Sequence, residues 1–161
     1  MNSSSVSIRL ATISDLTEIQ TIFVNTISTI CNNDYTLEQI KIWTSSVENT
    51  QRWKDKLNSQ YFLVADLNNK IVGYASLENN NYFDLLYIHK DYQRQGIANK
   101  LYIEIEKEAI KNKATILNSD VSITAKYFFE TKGFKTIKPQ ISIIKGVEIL
   151  NYKMSKILQS Q

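Results

Sequence analysis

The sequence contains few of the residues that build disulfide scaffolds and Cys/His metal sites. Among its 161 residues are one cysteine, one histidine, one proline and four glycines. A lone cysteine, Cys31, excludes an internal disulfide and fits a reducing compartment. Because Cys31 and His89 are the only residues of their types, a Cys/His zinc site is excluded and a Ser-His-Asp triad would need His89. We therefore expect no metal.

Long apolar runs and charge of a single sign are also absent. No apolar stretch approaches the roughly 20 residues that span a bilayer, and the N-terminus lacks a basic segment followed by an apolar one. Charges are mixed and the net value is only +3, so charge does not require a nucleic-acid or membrane partner. We expect a cytoplasmic protein with no nucleic-acid or membrane partner, and the sequence is compatible with a homodimer.

Length and composition favour one domain. The 161 residues are 43% hydrophobic and show no repeat, low-complexity segment or Pro/Gly-rich boundary. Domains commonly run to about 100–150 residues. Residues 1–161 are therefore predicted to form a single domain.

Hydrophobic periodicity divides the chain into a helical first third and a strand-rich remainder. Residues 6–10 alternate like a strand, Ser14 and Asp15 begin an amphipathic helix, and Thr36 with Gln39 resembles a capping box. A short helix is predicted around residues 52–58. Further strands are predicted at 61–65, 71–75, 82–89, 115–121, 134–144 and 147–154, with helices at 97–112 and 124–131. The pattern predicts an α/β (α+β) domain.

The most informative segment is residues 85–101. An apolar strand ends in a polar turn, passes through Gly96 and begins a long amphipathic helix. Such a turn directs backbone N–H groups and the positive end of a helix dipole toward one point, which suits a phosphate. The segment favours a nucleotide-type cofactor, although glycine at a strand-to-helix turn is also a common structural device.

Two segments carry a family resemblance. Gln93-Arg94-Gln95-Gly96-Ile97-Ala98 resembles the Q/R-x-x-G-x-G/A signature of the GNAT superfamily of acetyl-CoA-dependent N-acetyltransferases, with alanine in the last small position. Residues 122–134 resemble the GNAT stretch N-x-x-A-x-x-x-Y-x-x-x-G-F. The resemblance implies a mixed, mostly antiparallel central sheet flanked by helices, and acetyl-CoA as acyl donor.

The resemblance also implies which residues hold coenzyme A. The pyrophosphate would lie on the backbone of residues 94–98, and the pantetheine arm would pair with the strand at 86–88, where an N–H group would polarise the thioester. A buried core strand is an equally valid reading of those side chains. The implied cofactor-binding residues are Leu86, Tyr87, Ile88, Gln93, Arg94, Gln95, Gly96, Ile97, Ala98, Asn99, Lys100, Ser122, Ala125 and Phe128.

Two positions depart from the family pattern. Ser122 replaces the usual asparagine, and Phe129 replaces the tyrosine that commonly protonates the leaving thiolate. Tyr127 is two helical residues from Phe129, about 200° around the helix, and cannot easily replace it. Other tyrosines are available, but the sequence does not select among Tyr87, Tyr92 and Tyr102.

Amine attack needs a group that removes a proton, and a carboxylate is the usual helper. Asp84 is the first choice because alternation places it on the strand face of Leu86 and Ile88, where it would be partly buried. Glu78, at the end of the preceding predicted strand, ranks second. A hydrogen-bonded structural role for Asp84 is the alternative.

The acceptor pocket has no motif of its own. In GNAT enzymes the N-terminal helices and the late hairpin line it, which implicates Asn32, Asp34, Tyr35, Trp43 and Trp53. The predicted function is transfer of an acetyl group to a primary amine of an unidentified small molecule or peptide by direct attack in a ternary complex. The alternatives are a non-catalytic acyl-CoA-binding or sensing module and, from pI alone, a small nucleic-acid-binding protein.

Overall fold

The computed structural model describes residues 5–159, so the ends of the predicted domain, residues 1–4 and 160–161, lie outside the described residues. The helices are α1 (Leu16–Ile30), α2 (Leu37–Thr44), α3 (Thr50–Ser59), α4 (Ile97–Lys111) and α5 (Lys126–Thr131). The strands are β1 (Ser7–Leu10), β2 (Tyr61–Leu67), β3 (Lys70–Glu78), β4 (Tyr82–Ile88), β5 (Ile116–Ser122), β6 (Lys135–Ile144) and β7 (Val147–Ile157).

The seven strands form one sheet in the order β1-β2-β3-β4-β5-β7-β6. Neighbours pair antiparallel except β4 and β5, which run parallel and pair only at Tyr82 and Asn118. The predicted mixed, mostly antiparallel sheet is thus confirmed, and its weakest junction lies between β4 and β5.

Helices cover both faces of the sheet and create two apolar cores. On one face, Leu101 and Ile105 of α4 are fully buried with strand residues such as Leu117. On the other face, Ile19 and Ile27 of α1 are fully buried in a cluster with residues of β2 and β3. The apolar stripe of each helix therefore faces the sheet, as helical periodicity requires.

Local capping signals fix the starts of two N-terminal helices. Thr36 accepts the Gln39 N–H at 3.1 Å, and the Thr36 N–H donates to the Gln39 side chain at 2.9 Å, which confirms the predicted capping box. The predicted helix start at Ser14 and Asp15 falls in a 3₁₀ turn (Ile13–Asp15) that precedes α1. The Asp15 carboxylate caps the start of that turn by accepting the Thr12 N–H at 2.8 Å.

A β-bulge at Asp84 changes the face assignment of β4. Ser76 pairs with Leu85 while Leu77 pairs with Phe83, so Asp84 is an extra residue without a partner on β3. Beyond the bulge, Leu86 and Ile88 pack on the α4 side, whereas Asp84 bonds to α3 on the opposite face. The prediction that Asp84 shares a face with Leu86 and Ile88 is wrong, because strict alternation fails at a bulge.

Gly73 lets β3 approach both β4 and α4. A Cβ atom there would lie 2.9 Å from Ile88 Cδ1 and 3.2 Å from Ile97 Cγ2. A larger residue would therefore push on the end of β4 and the start of α4. These two segments border the cleft between β4 and β5.

Candidate active site in a cleft between diverging strands

The parallel strands β4 and β5 are joined at one end and separate at the other. At the joined end, the Asn118 N–H donates to the Asn81 carbonyl at 2.8 Å, and the Ser119 hydroxyl donates to the Phe83 carbonyl at 2.7 Å. Beyond these contacts an open cleft of about 520 Å³ lies between the strands. The bulge at Asp84 bends β4 at this point, which helps to part the two strands.

The main chain of β4 presents N–H groups to this cleft. The His89 N–H donates to the Val72 carbonyl of β3 at 2.9 Å. Because residues in an antiparallel ladder alternate between the two edges, the N–H groups of Leu86 and Ile88 point toward β5 and the cleft. The Ile88 carbonyl is held by the Thr26 hydroxyl at 2.9 Å and by the Gln93 amide at 2.7 Å.

The turn at the open end of the cleft is shaped to bind an anion. Arg94 and Gly96 have positive φ angles of 59° and 80°, a conformation that gathers successive N–H groups into a concave nest. Gly96 is the N-cap of α4, and no side chain within residues 5–159 caps that helix start. A Cβ at Gly96 would meet nothing within 4 Å. The N–H groups and the helix dipole are thus available to a phosphate.

Most of the residues predicted to bind the cofactor meet in this cleft. Gln95 and Lys100 are not among its lining residues, and the Gln93 amide turns back onto β4. Glu78, the second choice for the catalytic base, does not line the cleft either. Ser122 accepts the Ala125 N–H at 3.1 Å, which leaves its hydroxyl proton able to donate. The predicted residues that line the cleft are Asp84, Leu86, Tyr87, Ile88, Gln93, Arg94, Gly96, Ile97, Ala98, Asn99, Ser122, Ala125 and Phe128.

Comparison with known protein families agrees with this geometry. The profile of the acetyltransferase (GNAT) domain matches residues 31–156. The chain belongs to the GNAT acetyltransferase family. A curated relative, the uncharacterized N-acetyltransferase YafP of Escherichia coli (strain K12), is 34% identical over 140 residues, or 87% of this chain and 88% of that protein. The protein is an acetyl-CoA-dependent acyltransferase of the GNAT type.

Solved GNAT structures share the whole architecture. The GCN5-related N-acetyltransferase (aminotransferase, class-II) from Rhodopseudomonas palustris superposes with a TM-score of 0.93 at 31% identity, covering 98% of this chain and 99% of that one. The PaiA N-acetyltransferase from Thermoplasma acidophilum, solved with coenzyme A, gives a TM-score of 0.79 at 20% identity, covering 96% and 99%. At 20% identity, the similarity to the PaiA structure is a similarity of fold alone.

Phe129 occupies the GNAT tyrosine position, where it lines the cleft with little of its ring exposed. It is 3% exposed and packs edge-on against Phe83 and Phe134, with ring centroids 5.4 and 5.0 Å apart. Tyr127 is 78% exposed and also lines the cleft. The chain therefore has no phenolic proton to donate at position 129.

Two of the three tyrosines considered as substitutes for the missing phenol lie in the cleft. Tyr102 does not line the cleft, and its hydroxyl contacts Glu106 and Lys156. Tyr87 and Tyr92 both line the cleft. Burial raises the pKa of Tyr87 far above its ordinary value, so this phenol stays protonated at neutral pH.

Asp84 lines the cleft as one half of an ion pair. Lys56 Nζ lies 2.5 Å from its carboxylate and Gln60 Nε2 lies 2.9 Å away. The side chains of Lys56 and Asp84 are only 15% and 14% exposed. The positive charge of Lys56 offsets the negative charge of the Asp84 carboxylate.

The five residues proposed for the acceptor pocket do not all lie in the cleft. Trp53 is 2% exposed and packs on Phe23, whereas Trp43 lines the cleft. Tyr35 has a structural role: its hydroxyl donates to the Leu150 carbonyl at 2.7 Å and accepts the Ile123 N–H at 2.9 Å, and burial raises its pKa to about 12. Asn32 and Asp34 do not line the cleft.

Sequence reasoning missed several lining residues, including Thr26, Ser119, Asp120 and Thr124. Thr26, Ser119 and Asp120 lie outside the two motifs, and only the pairing of distant segments brings them to the cleft. Thr124 lies within the second motif, at a position that the motif leaves unspecified. The sequence offered one signal for these residues, which is the alternation along β5. It places Ser119 and Asp120 on opposite faces of the strand.

Two further findings concern metals and membranes. Within residues 5–159, no group of three or more His, Cys, Asp or Glu side chains is arranged to hold a metal ion. None of the helices in that range is long and apolar enough to cross a membrane.

Proposed function

We propose that the protein transfers the acetyl group of acetyl-CoA to a primary amine of a small molecule or peptide by direct attack in a ternary complex, with residues 1–161 acting as one domain. One observation carries the proposal. The cleft between β4 and β5 combines strand N–H groups at its side with an anion-binding turn at its open end. An extended thioester with a pyrophosphate at one end matches both features.

The donor would occupy the cleft as if it were an added strand. Its pyrophosphate would lie on the turn at residues 94–98, beside Asn99, and its pantetheine arm would follow residues 86–88 toward Ser122, Ala125 and Phe128. The coenzyme A complex of the PaiA neighbour supports this fit between fold and ligand. Bound acetyl-CoA supplies a thioester whose carbonyl carbon accepts the amine.

The chain's own groups would stabilise the charge that develops during attack. The N–H groups of Leu86 and Ile88 point into the cleft and can donate to the thioester oxygen, whose negative charge grows in the transition state. A free thiol has a pKa of about 8.5, so the departing thiolate leaves without a strong acid. The absence of a phenol at Phe129 is therefore tolerable.

Cys31 supports direct transfer over a covalent acetyl-enzyme. It lines the cleft, but it is only 6% exposed and burial raises the pKa of its thiol. A protonated thiol is a poor nucleophile. Initial rates should accordingly give intersecting double-reciprocal lines, and parallel lines would instead indicate a covalent intermediate.

Thiol release from acetyl-CoA tests the proposed reaction. The panel should contain polyamines, aminoglycosides, amino acids and peptides, and calorimetry should measure acetyl-CoA binding in parallel. We expect binding together with amine-dependent thiol release. Binding without release across the panel would favour the non-catalytic acyl-CoA-binding or sensing module, which buried Phe129 makes the second candidate. The cytoplasmic location and the possible homodimer, both expected from the sequence, stay predictions.

A further inference from the structure

Two carboxylates flank the floor of the cleft. Asp84 and Asp120 are the only acidic side chains among the lining residues that the structure describes. They stand on facing strands, each two residues beyond the paired Tyr82 and Asn118. Both therefore lie just past the point at which β4 and β5 are joined.

The two carboxylates differ in charge compensation. Asp84 is paired with Lys56 at 2.5 Å. Asp120 accepts one hydrogen bond at each oxygen, from the Tyr82 hydroxyl and from Gln140 Nε2, both at 2.5 Å, and both donors are neutral. Lys153 faces Asp120 across the β5–β7 register, yet the described residues show no ion pair between them. Within residues 5–159, Asp120 therefore has no ion-pair partner.

The donors that hold Asp120 are themselves fixed. Gln140 also donates to the Asn151 side chain at 2.7 Å. Burial, followed by the hydrogen bond to Asp120, raises the pKa of Tyr82 far above its ordinary value, so the phenol remains a donor. Each carboxylate oxygen retains lone-pair capacity for one more donor. Asp120 is therefore oriented but not saturated.

Apart from Asp84 and Asp120, the described residues that line the cleft include no acidic side chain that could bind an amine. The walls of the cleft include Ile30, Trp43 and Tyr87, which are apolar or aromatic, and Arg94 at the distant turn is the only basic side chain among the described lining residues. Charge attraction is stronger beside such apolar walls than in bulk water. Asp120 is solvent-exposed and lines the cleft.

We propose that Asp120 binds the ammonium group of the acceptor and then accepts its proton. The inference rests on the proposed function and deepens it by naming the acceptor-binding carboxylate. One proton passes from the –NH₃⁺ group to Asp120. The freed nitrogen lone pair forms the C–N bond, while the C–S bond breaks and sulfur leaves with its electron pair as thiolate. The second nitrogen proton then passes to that thiolate, directly or through water, which leaves a neutral amide and a thiol.

Steady-state kinetics of matched Asp-to-Asn variants test the inference. Asp120→Asn, Asp84→Asn and the control Asp55→Asn each remove one charge, and Asp55 is exposed on α3 outside the cleft. The probes are 2-phenylethylamine, spermidine and a short peptide with a free amino terminus. General-base loss commonly costs about 10²–10⁴ in rate. We expect Asp120→Asn to lower kcat/KM for the amine about 100-fold and leave KM for acetyl-CoA within about twofold.

A second variant disturbs the orientation of Asp120 but keeps its carboxylate. Tyr82→Phe removes one hydrogen bond that orients Asp120, so KM for the amine should rise by a smaller factor, about threefold to tenfold. The pH profile of kcat/KM should lose its acidic limb in Asp120→Asn and keep it in Tyr82→Phe. Urea unfolding checks that both variants fold.

Three results would overturn the inference. One is an Asp120→Asn variant that matches the Asp55→Asn control in the acceptor kinetics. Another is acetyl-CoA binding by the wild type with no amine turned over, and none bound to its coenzyme A complex by calorimetry, in which case the donor half of the proposed function still stands. If wild type fails to bind acetyl-CoA, the proposed function fails first and the inference falls with it.

Discussion

At the scale of single residues, the donor half of the site depends on backbone conformation more than on side-chain chemistry. Gly96 has a φ of +80° and faces open space, and Gly146 in the β6–β7 turn has a φ of +81° and equally open surroundings. The two glycines carry the same conformational requirement. Only Gly96 lies in the cleft.

This pair gives the first prediction. Gly96→Ala and Gly146→Ala should each lower the free energy of unfolding by about 1 kcal/mol, because L-residues are strained at positive φ. Only Gly96→Ala should weaken acetyl-CoA binding, by about tenfold or more, since its methyl group projects where the phosphate would lie. Urea unfolding and calorimetry measure the two effects. Equal affinity in both variants would contradict the assignment of the turn.

The second prediction concerns the Lys56–Asp84 ion pair. Lys56→Met leaves a partly buried carboxylate uncompensated and should lower the free energy of unfolding by about 1–3 kcal/mol. Adding Asp84→Asn should recover part of that loss. A double-mutant cycle in urea measures the coupling. If the two single losses simply add, the pair contributes no coupling energy and Asp84 is free for another role.

At the scale of secondary-structure elements, one carboxylate ties β1 to α1. The Arg9 guanidinium bonds to Asp15 at 2.9 and 3.0 Å, and the Thr12 N–H bonds to it at 2.8 Å. The Arg9 hydrogen bond is the main cause of a lowered pKa for Asp15. The folded protein therefore binds the Asp15 proton more weakly than the unfolded chain does.

The third prediction follows from that sign. The Asp15 contribution to stability is present above the unfolded pKa of about 3.9 and is lost as pH falls through the lower folded pKa. The gap in unfolding free energy between wild type and Asp15→Asn should be wide at about pH 6 and narrow at about pH 2.5. Urea unfolding at both pH values measures it. A gap that does not change would contradict this role for Asp15.

Elements were predictable from sequence where local signals determine them. The Thr36–Gln39 capping box and the amphipathic stripe of α1 are local, and the structure confirms both. The bulge at Asp84 depends on register with β3, so alternation within β4 gave the wrong face. Asp120 was missed because the divergence of β4 from β5 arises from pairing between distant segments.

At the scale of the whole molecule, the cleft lies where two parts of the sheet meet with least pairing. Strands β1 to β4 form one antiparallel run and β5 to β7 form another, and the ladder between them contains a single residue pair. A donor that hydrogen-bonds to β4 would fill this gap in the sheet. Family membership and the position of the turn both favour that arrangement.

A crystal structure of the protein with coenzyme A tests this central claim most directly. We expect the pantetheine arm to lie between β4 and β5, within hydrogen-bond distance of the Leu86 or Ile88 N–H. We also expect the pyrophosphate to lie on the N–H groups of residues 94–98. Coenzyme A bound at another surface, or an empty cleft in crystals grown at saturating ligand, would contradict it.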